Sequence, residues 1–179
     1  APLKELGIEF VTNMRVADVD GLFADGFKAV FLAVGSHVGA RLRLPNADLP
    51  DVWLNTEFLR RVALGERIDL RHRKVLVLGG GNVAIDVART AVRLGADRVS
   101  MAFLESDETM PAHPWEIEEA KEEGIEMFPG RTFKECVLDE GKVAGIKCVK
   151  VDFHGFKPDG AIDMEEFVDT EHILAADLI

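Results

Sequence analysis

Residues 74–105, KVLVLGGGNVAIDVARTAVRLGADRVSMAFLE, are the stretch from which the fold can be predicted. The apolar run at its start is typical of a parallel strand that is covered on both faces. Residues 83–94 then place apolar side chains at helical spacing, and Gly95 suits the end of that helix. Residues 98–105 predict a second strand. A strand, a helix and a strand within about 30 residues indicate a right-handed crossover between parallel strands.

The glycines of this stretch match the G-x-G-x-x-G/A pattern, with Gly79, Gly81 and Ala84 at its three small positions. The first allows a tight turn, the second leaves room for a diphosphate, and Ala84 lets the helix approach the strand. Backbone N–H groups around Gly81, Asn82 and Val83 would point at the phosphates from the positive end of the helix dipole. Because the pattern follows a strand and opens a helix, it predicts a dinucleotide site. The alternative is a glycine-rich turn that only packs the crossover.

Glu105 lies at the end of the second predicted strand, 21 residues after Ala84. An acid at this position accepts hydrogen bonds from the ribose hydroxyls of the adenosine half. It would also repel a 2′-phosphate, and no arginine stands among Leu104 and residues 106–108. The sequence therefore predicts NAD(H) in preference to NADP(H). The alternative is a solvated glutamate with no ligand.

Composition excludes several classes of protein. The net charge of −11 argues against nucleic-acid binding, and no apolar run reaches the roughly 18 residues of a membrane span, so we expect a cytoplasmic protein. The absence of tyrosine rules out the Tyr-x-x-x-Lys acid of a short-chain dehydrogenase. The spacing of Cys136 and Cys148 suits neither a zinc site nor a redox dithiol, so no metal ligand is predicted.

Further elements are expected along the rest of the chain. Strands are predicted at 7–12, 27–34, 125–128 and from 172 onward, helices at 56–63 and 114–123, and a hairpin from 133–138 and 143–153. Residues 153–166 are expected to form a loop. Gly35 ends the second of these strands, where a glycine allows another backbone or a cofactor to come close.

Several stretches together, among them KAVFLAVGS, VLVLGGGNVAIDVARTAVRLGA, ETMPAHPWEIEEAKEEGIE and ILAADLI, resemble a known family. It is the FAD-dependent pyridine nucleotide-disulphide oxidoreductase superfamily, in its glutamate synthase small (beta) subunit-like branch. The resemblance implies an α/β, Rossmann-like FAD/NAD(P)-binding domain with a central parallel sheet and an antiparallel hairpin or meander. Residues 1–50 would be a remnant of the flavin domain, with Gly35 near the flavin. Residues 51–179 would be the NAD(P)-binding domain.

The same resemblance implies a function. Hydride would pass between NAD(P)H and FAD, a step that needs no side-chain acid or base, so no catalytic residue is predicted. An electron-accepting partner subunit or iron–sulphur module would complete the protein. Phe103, Leu104 and Glu105 replace the Tyr-Arg-Arg typical of members that use NADPH. The flavin fingerprint is missing, so we expect a fragment that binds NAD(H) weakly and holds little flavin.

Two other functions stay open: a regulatory NAD-binding module, and an S-adenosylmethionine-dependent methyltransferase with a similar glycine loop. The candidate cofactor-binding residues are Gly79, Gly80, Gly81, Asn82, Val83, Ala84, Glu105 and Gly35.

Overall fold

The computed structural model describes residues 2–39 and 41–179, which form two compact units that divide between Ser36 and His37. The first unit contains two short helices, α1 (Pro2–Glu5) and α2 (Asp20–Ala24). The second helix was not expected; the Asp18 carboxylate accepts a hydrogen bond from the N–H of Gly21 at 2.7 Å and so supports its first turn.

The strands expected at 7–12 and 27–34 are wrong for this structure. Neither segment has a strand hydrogen-bond ladder within the described part of the first unit. A strand needs a neighbouring strand to accept and donate its backbone hydrogen bonds, and no strand is formed among the described residues of this unit. The apolar side chains that suggested strands are consequently exposed; Phe31 is 92% exposed.

The second unit is built on a parallel sheet with strand order β1-β2-β3. Its elements are α3 (Asn55–Ala63), β1 (Lys74–Leu78), α4 (Asn82–Arg93), β2 (Arg98–Ala102), α5 (Pro114–Glu122) and β3 (Glu126–Phe128). The register runs from Lys74 opposite Arg98 to Leu78 opposite Ala102. The strand–helix–strand crossover predicted for 74–105 is confirmed. On the other side of β1, Leu178 forms a parallel bridge with Val75.

An antiparallel sheet follows, made of β4 (Arg131–Asp139), β5 (Lys142–Phe156), β6 (Ile162–Glu166) and β7 (His172–Ala175). The predicted hairpin corresponds to β4 and β5, and two register shifts along it explain why neither arm alternates cleanly. The loop expected at 153–166 is wrong, because these residues form the end of β5 and the strand β6. A further register shift beside Gly155, whose φ is +124°, hides the period of two there.

Two hydrophobic clusters lie on the two faces of the parallel sheet. Val75 and Val77 belong to the cluster that includes Phe58 of α3 and residues of α4 and α5. Leu76 belongs to the other cluster, with Ile146 of the antiparallel sheet. Both faces of β1 are therefore covered, as its continuous apolar sequence predicted. The architecture confirms the predicted α/β class with a parallel sheet and an antiparallel meander.

Helices α4 and α5 are joined by ion pairs in their C-terminal halves. The Arg89 guanidinium lies 2.5 Å from a Glu119 carboxylate oxygen and 2.7 Å from one of Glu123, which also pairs with Arg93. Because α4 connects β1 to β2, α5 connects β2 to β3, and the three strands are parallel, the two helices run in the same direction and both begin at the carboxyl edge of the sheet. Within residues 2–39 and 41–179, no helix combines the length and apolarity that a membrane span needs.

Candidate functional site

Gly79 makes the turn that leaves β1. Its φ of +128° lies in the region that favours glycine, and its N–H donates to the carbonyl oxygen of Ala102 at 2.9 Å. A Cβ built on Gly79 would lie 3.7 Å from the Cβ of Ala84, so the turn and the first turn of α4 are in van der Waals contact. Both residues have the structural roles that the glycine pattern predicts.

Gly80 has a packing role that the glycine pattern did not reveal. Its Cβ would lie 3.1–3.2 Å from three atoms of the Phe103 side chain, which is 1% exposed. Residue 80 is therefore restricted by the aromatic side chain that follows β2. In the sequence, this contact could be suspected only from two features: a third glycine, Gly80, in the turn, and a bulky residue, Phe103, at the end of the neighbouring strand.

The start of α4 leaves backbone donors open. Gly81 is the N-cap, and the first turn has no side-chain cap. The carbonyl of Gly81 accepts from the N–H groups of Ala84 and Ile85, but no described residue accepts from the N–H of Gly81, Asn82 or Val83. No atom lies within 4 Å of the position that a Cβ on Gly81 would occupy. Open donors at the positive end of a helix dipole form an arrangement that binds anions.

The segment before α5 is bonded to this turn. The N–H of Ala112 donates to the carbonyl of Gly80 at 3.2 Å, and the N–H of His113 donates to the Asn82 side chain at 3.0 Å. Met110 and Ala112 are buried. The segment thus holds the start of α5 beside the start of α4, a function that the sequence did not predict for it.

Glu116 follows in the first turn of α5. It lies on the side of this helix that carries Glu119 and Glu123, and these pair with α4. One carboxylate oxygen of Glu116, Oε2, is buried and receives no hydrogen bond from the described residues. A buried carboxylate oxygen without a donor is costly, so it favours a donor from a ligand or solvent.

Glu105 lies at the same carboxyl edge, beyond the end of β2. Its backbone carbonyl accepts from the N–H of Gly130 at 2.8 Å, which fixes the chain there. The side chain is partly exposed, and no described residue donates a hydrogen bond to its carboxylate. Because β1 and β2 are parallel neighbours in register, the structure brings Glu105 to the edge where residues 79–84 lie.

Gly35 belongs to the first unit. Its φ is +73°, and nothing lies within 4 Å of the position of a Cβ on it. The strand that was expected to end there is absent from the described residues of this unit, so the geometry that suggested close approach of a cofactor is not formed.

The two cysteines lie in the antiparallel sheet and are buried. Burial raises the pKa of both thiols, and the nearby Arg131 guanidinium offsets this only in part at Cys148. The Cys148 sulphur lies 3.3 Å from Nε2 of His172, whose Nδ1 donates to the carbonyl of Thr170. Burial consequently disfavours the thiolate form of both residues, and both side chains pack within the antiparallel sheet.

Comparison with known proteins places this geometry in a family. The profile of the family described as pyridine nucleotide-disulphide oxidoreductase matches residues 4–152. The glutamate synthase [NADPH] small chain of Escherichia coli (strain K12) is 35% identical in an alignment of 188 positions that covers 97% of this chain and 40% of that protein. The NADP(+)-dependent formate dehydrogenase subunit beta of Moorella thermoacetica is 34% identical in an alignment of 158 positions that covers 83% of this chain and 22% of that protein.

Among solved structures, Mycobacterium tuberculosis FprA in complex with NADPH has a TM-score of 0.67 at 16% identity. The match covers 88% of this chain and 50% of that chain, and it shows a shared fold. The chain thus spans less than half of the two curated relatives named here.

Proposed function

The chain belongs to the pyridine nucleotide-disulphide oxidoreductase family, and from this membership we propose that it is the nicotinamide-nucleotide-binding portion of a flavin-dependent oxidoreductase. In the complete protein, hydride would pass between NAD(P)H and FAD. The observation that supports the proposal most directly is the set of open N–H groups at Gly81, Asn82 and Val83, directly after β1.

Residues of this chain would bind and orient the nucleotide. The open N–H groups would donate to the diphosphate, and the space beside Gly81 would admit it. Glu105 would accept hydrogen bonds from the ribose hydroxyls of the adenosine half. The nicotinamide and flavin rings supply the hydride chemistry, which needs no acid or base from this chain.

This chain has fewer candidate residues for FAD than for the nicotinamide nucleotide. The sequence has one strand-linked glycine fingerprint, at residues 79–84, and Gly35 is the one residue of the first unit that the family resemblance connects with flavin. We assign residues 1–50 to the flavin-binding side of the complete protein and residues 51–179 to the nucleotide-binding domain. An electron-accepting subunit or iron–sulphur module would belong to the complete protein; the two relatives are themselves named as a chain and a subunit of larger enzymes.

For the nucleotide we propose a preference for NAD(H). The two relatives above carry NADPH or NADP(+) in their names. Here, however, the end of β2 carries Glu105 and no arginine between residues 103 and 109. A carboxylate beside the ribose hydroxyls accepts their hydrogen bonds and repels a 2′-phosphate.

Calorimetric titration of the 179-residue chain tests the proposal. We expect heat of binding with NADH, weaker binding with NADPH, and none with S-adenosylmethionine. Binding of S-adenosylmethionine instead of NADH would replace the proposal with a methyltransferase. A regulatory module is distinguished in a longer chain that includes the flavin-binding part, because only the oxidoreductase would reduce its flavin with NADH.

A further inference from the structure

Trp115, in the first turn of α5, is a large aromatic side chain at the surface. It is 57% exposed. The imidazole of His113 stacks on it, with ring centroids 4.3 Å apart and an angle of 8° between the planes. The other tryptophan, Trp53, packs against the core cluster beneath the helices, 5.9 Å from the ring of Phe58. Trp115 thus presents a flat aromatic surface that its own chain covers on one side only.

The backbone that carries this stacked pair is bonded to the turn that holds the open donors of α4. The backbone N–H of His113 donates to the side chain of Asn82, and the preceding residue donates to Gly80. These bonds connect the pair to the two residues on either side of Gly81. A diphosphate on the N–H groups of α4 would place one of its nucleosides near the pair.

The topology selects which nucleoside this is. Helix α5 follows β2 and leads to β3, so it begins on the side of β1 where β2 and β3 lie. In an open parallel sheet, a dinucleotide on the first glycine turn extends its adenosine half toward the end of the second strand. The nicotinamide half would then extend to the opposite side of β1, away from α5.

We propose that Trp115, supported by His113, stacks on the adenine ring of the bound nucleotide. The inference rests on the proposed function, which it extends by naming a base-binding residue. Aromatic side chains and bases stack in parallel, offset arrangements, and the indole already stacks on the His113 ring in this way. The ligand class is an adenosine diphosphate with a second ribose, so ADP-ribose contains every group that the pair and the donors would contact.

The test is a titration with ADP-ribose, NADH and nicotinamide mononucleotide. Trp115→Ala should weaken the binding of ADP-ribose and NADH by about 5- to 150-fold, the range of one lost base–aromatic stack. It should leave the affinity for nicotinamide mononucleotide unchanged. Trp115→Phe retains a ring and should keep most of the affinity. Because the indole of Trp115 is exposed, neither substitution should lower the melting temperature. Trp53→Phe is the control for replacing a tryptophan away from the proposed base site, and it should leave the affinity for ADP-ribose unchanged.

Fluorescence gives a second readout. The chain has two tryptophans and no tyrosine, so in Trp53→Phe the emission comes from Trp115. ADP-ribose should quench it, while in Trp115→Phe the same ligand should leave the emission of Trp53 unchanged.

The possible failures are distinguishable. Wild-type affinity for ADP-ribose in Trp115→Ala, together with unquenched emission in Trp53→Phe, would overturn the stacking and leave the proposed function intact. If the wild-type chain bound neither NADH nor ADP-ribose, the proposed function and the stacking would both be overturned.

Discussion

A methyl group added at Gly80 should lower the stability of the fold. A methyl group added at the next residue, Gly81, should leave the stability intact and weaken the binding of NADH. At Gly80 the new Cβ would lie 3.1–3.2 Å from the buried ring of Phe103, closer than ordinary van der Waals contact. Overpacking of a core costs about 1–3 kcal/mol. For a chain of this size, about 2–4 °C is lost per kcal/mol. We therefore expect Gly80→Ala to lower the melting temperature by about 2–12 °C.

At Gly81 the new methyl group meets no protein atom, and the φ of −88° and ψ of 171° suit any residue. The fold should therefore keep its stability, or gain about 0.4–1 kcal/mol through a less flexible unfolded chain. The methyl group occupies the space proposed for the diphosphate. Displacing the phosphate from one N–H group loses about 1.5–3 kcal/mol, the range for a hydrogen bond to a charged group. Affinity for NADH should fall by about 10- to 150-fold.

Thermal melting and NADH calorimetry on both variants make the comparison. Gly80→Ala and Gly81→Ala serve as controls for each other, because each adds one methyl group to the same turn. Gly141→Ala is unsuitable as a control, because the φ of Gly141 is +79° and alanine would be strained there. Equal melting temperatures for the two variants would refute the packing role of Gly80. Unchanged NADH affinity in a folded Gly81→Ala variant would refute the diphosphate position.

Other predictions concern specificity, the antiparallel sheet and the thiols. Glu105→Arg should raise the affinity for NADPH relative to NADH; an unchanged ratio in calorimetry would remove the reason for preferring NAD(H). Gly145→Ala should destabilise the chain by at least about 3 kcal/mol in urea unfolding. The new Cβ would clash with the carbonyl oxygen of Leu174, and the φ of +154° is one that alanine rarely adopts. Near wild-type stability would contradict the pairing of β5 with β7. Burial raises the pKa of Cys136 and Cys148, so the folded chain holds their thiol protons more tightly than the unfolded chain does. This contribution to the free energy of unfolding is complete below the ordinary thiol pKa of about 8.5, and it is lost as pH rises through the folded-state values. Stability should therefore fall in alkaline solution, and this loss should be smaller in the double Cys→Ala variant than in the wild type when both are measured by urea unfolding.

The parts of the fold that could be predicted are those whose signals are local. The crossover at 74–105 has a continuous apolar strand, a helical stripe and glycines at both helix ends, and all of these agree. The strands of the first unit could not be predicted correctly, because β-structure depends on a partner strand and the local sequence carries no information about that partner. Strand β6 was missed for a different reason: a shift of register beside Gly155 removes the alternation that marks a strand.

For the candidate site, the same distinction holds. The turn at 79–84 and Glu105 follow from a pattern with a known geometry, and the structure brings them to one edge. The contacts of Gly80 with Phe103 and of His113 with Asn82 join residues more than 20 positions apart. No spacing rule predicts such contacts, because they depend on how the loop after β2 folds back over the glycine turn.

The central claim is that the N–H groups at the start of α4 bind a diphosphate. A crystal structure of the chain grown with NADH tests it most directly. The account predicts diphosphate oxygens within hydrogen-bond distance of the backbone nitrogens of Asn82 and Val83, beside Gly81. A nucleotide bound elsewhere, with those nitrogens bonded to other protein atoms, would contradict it.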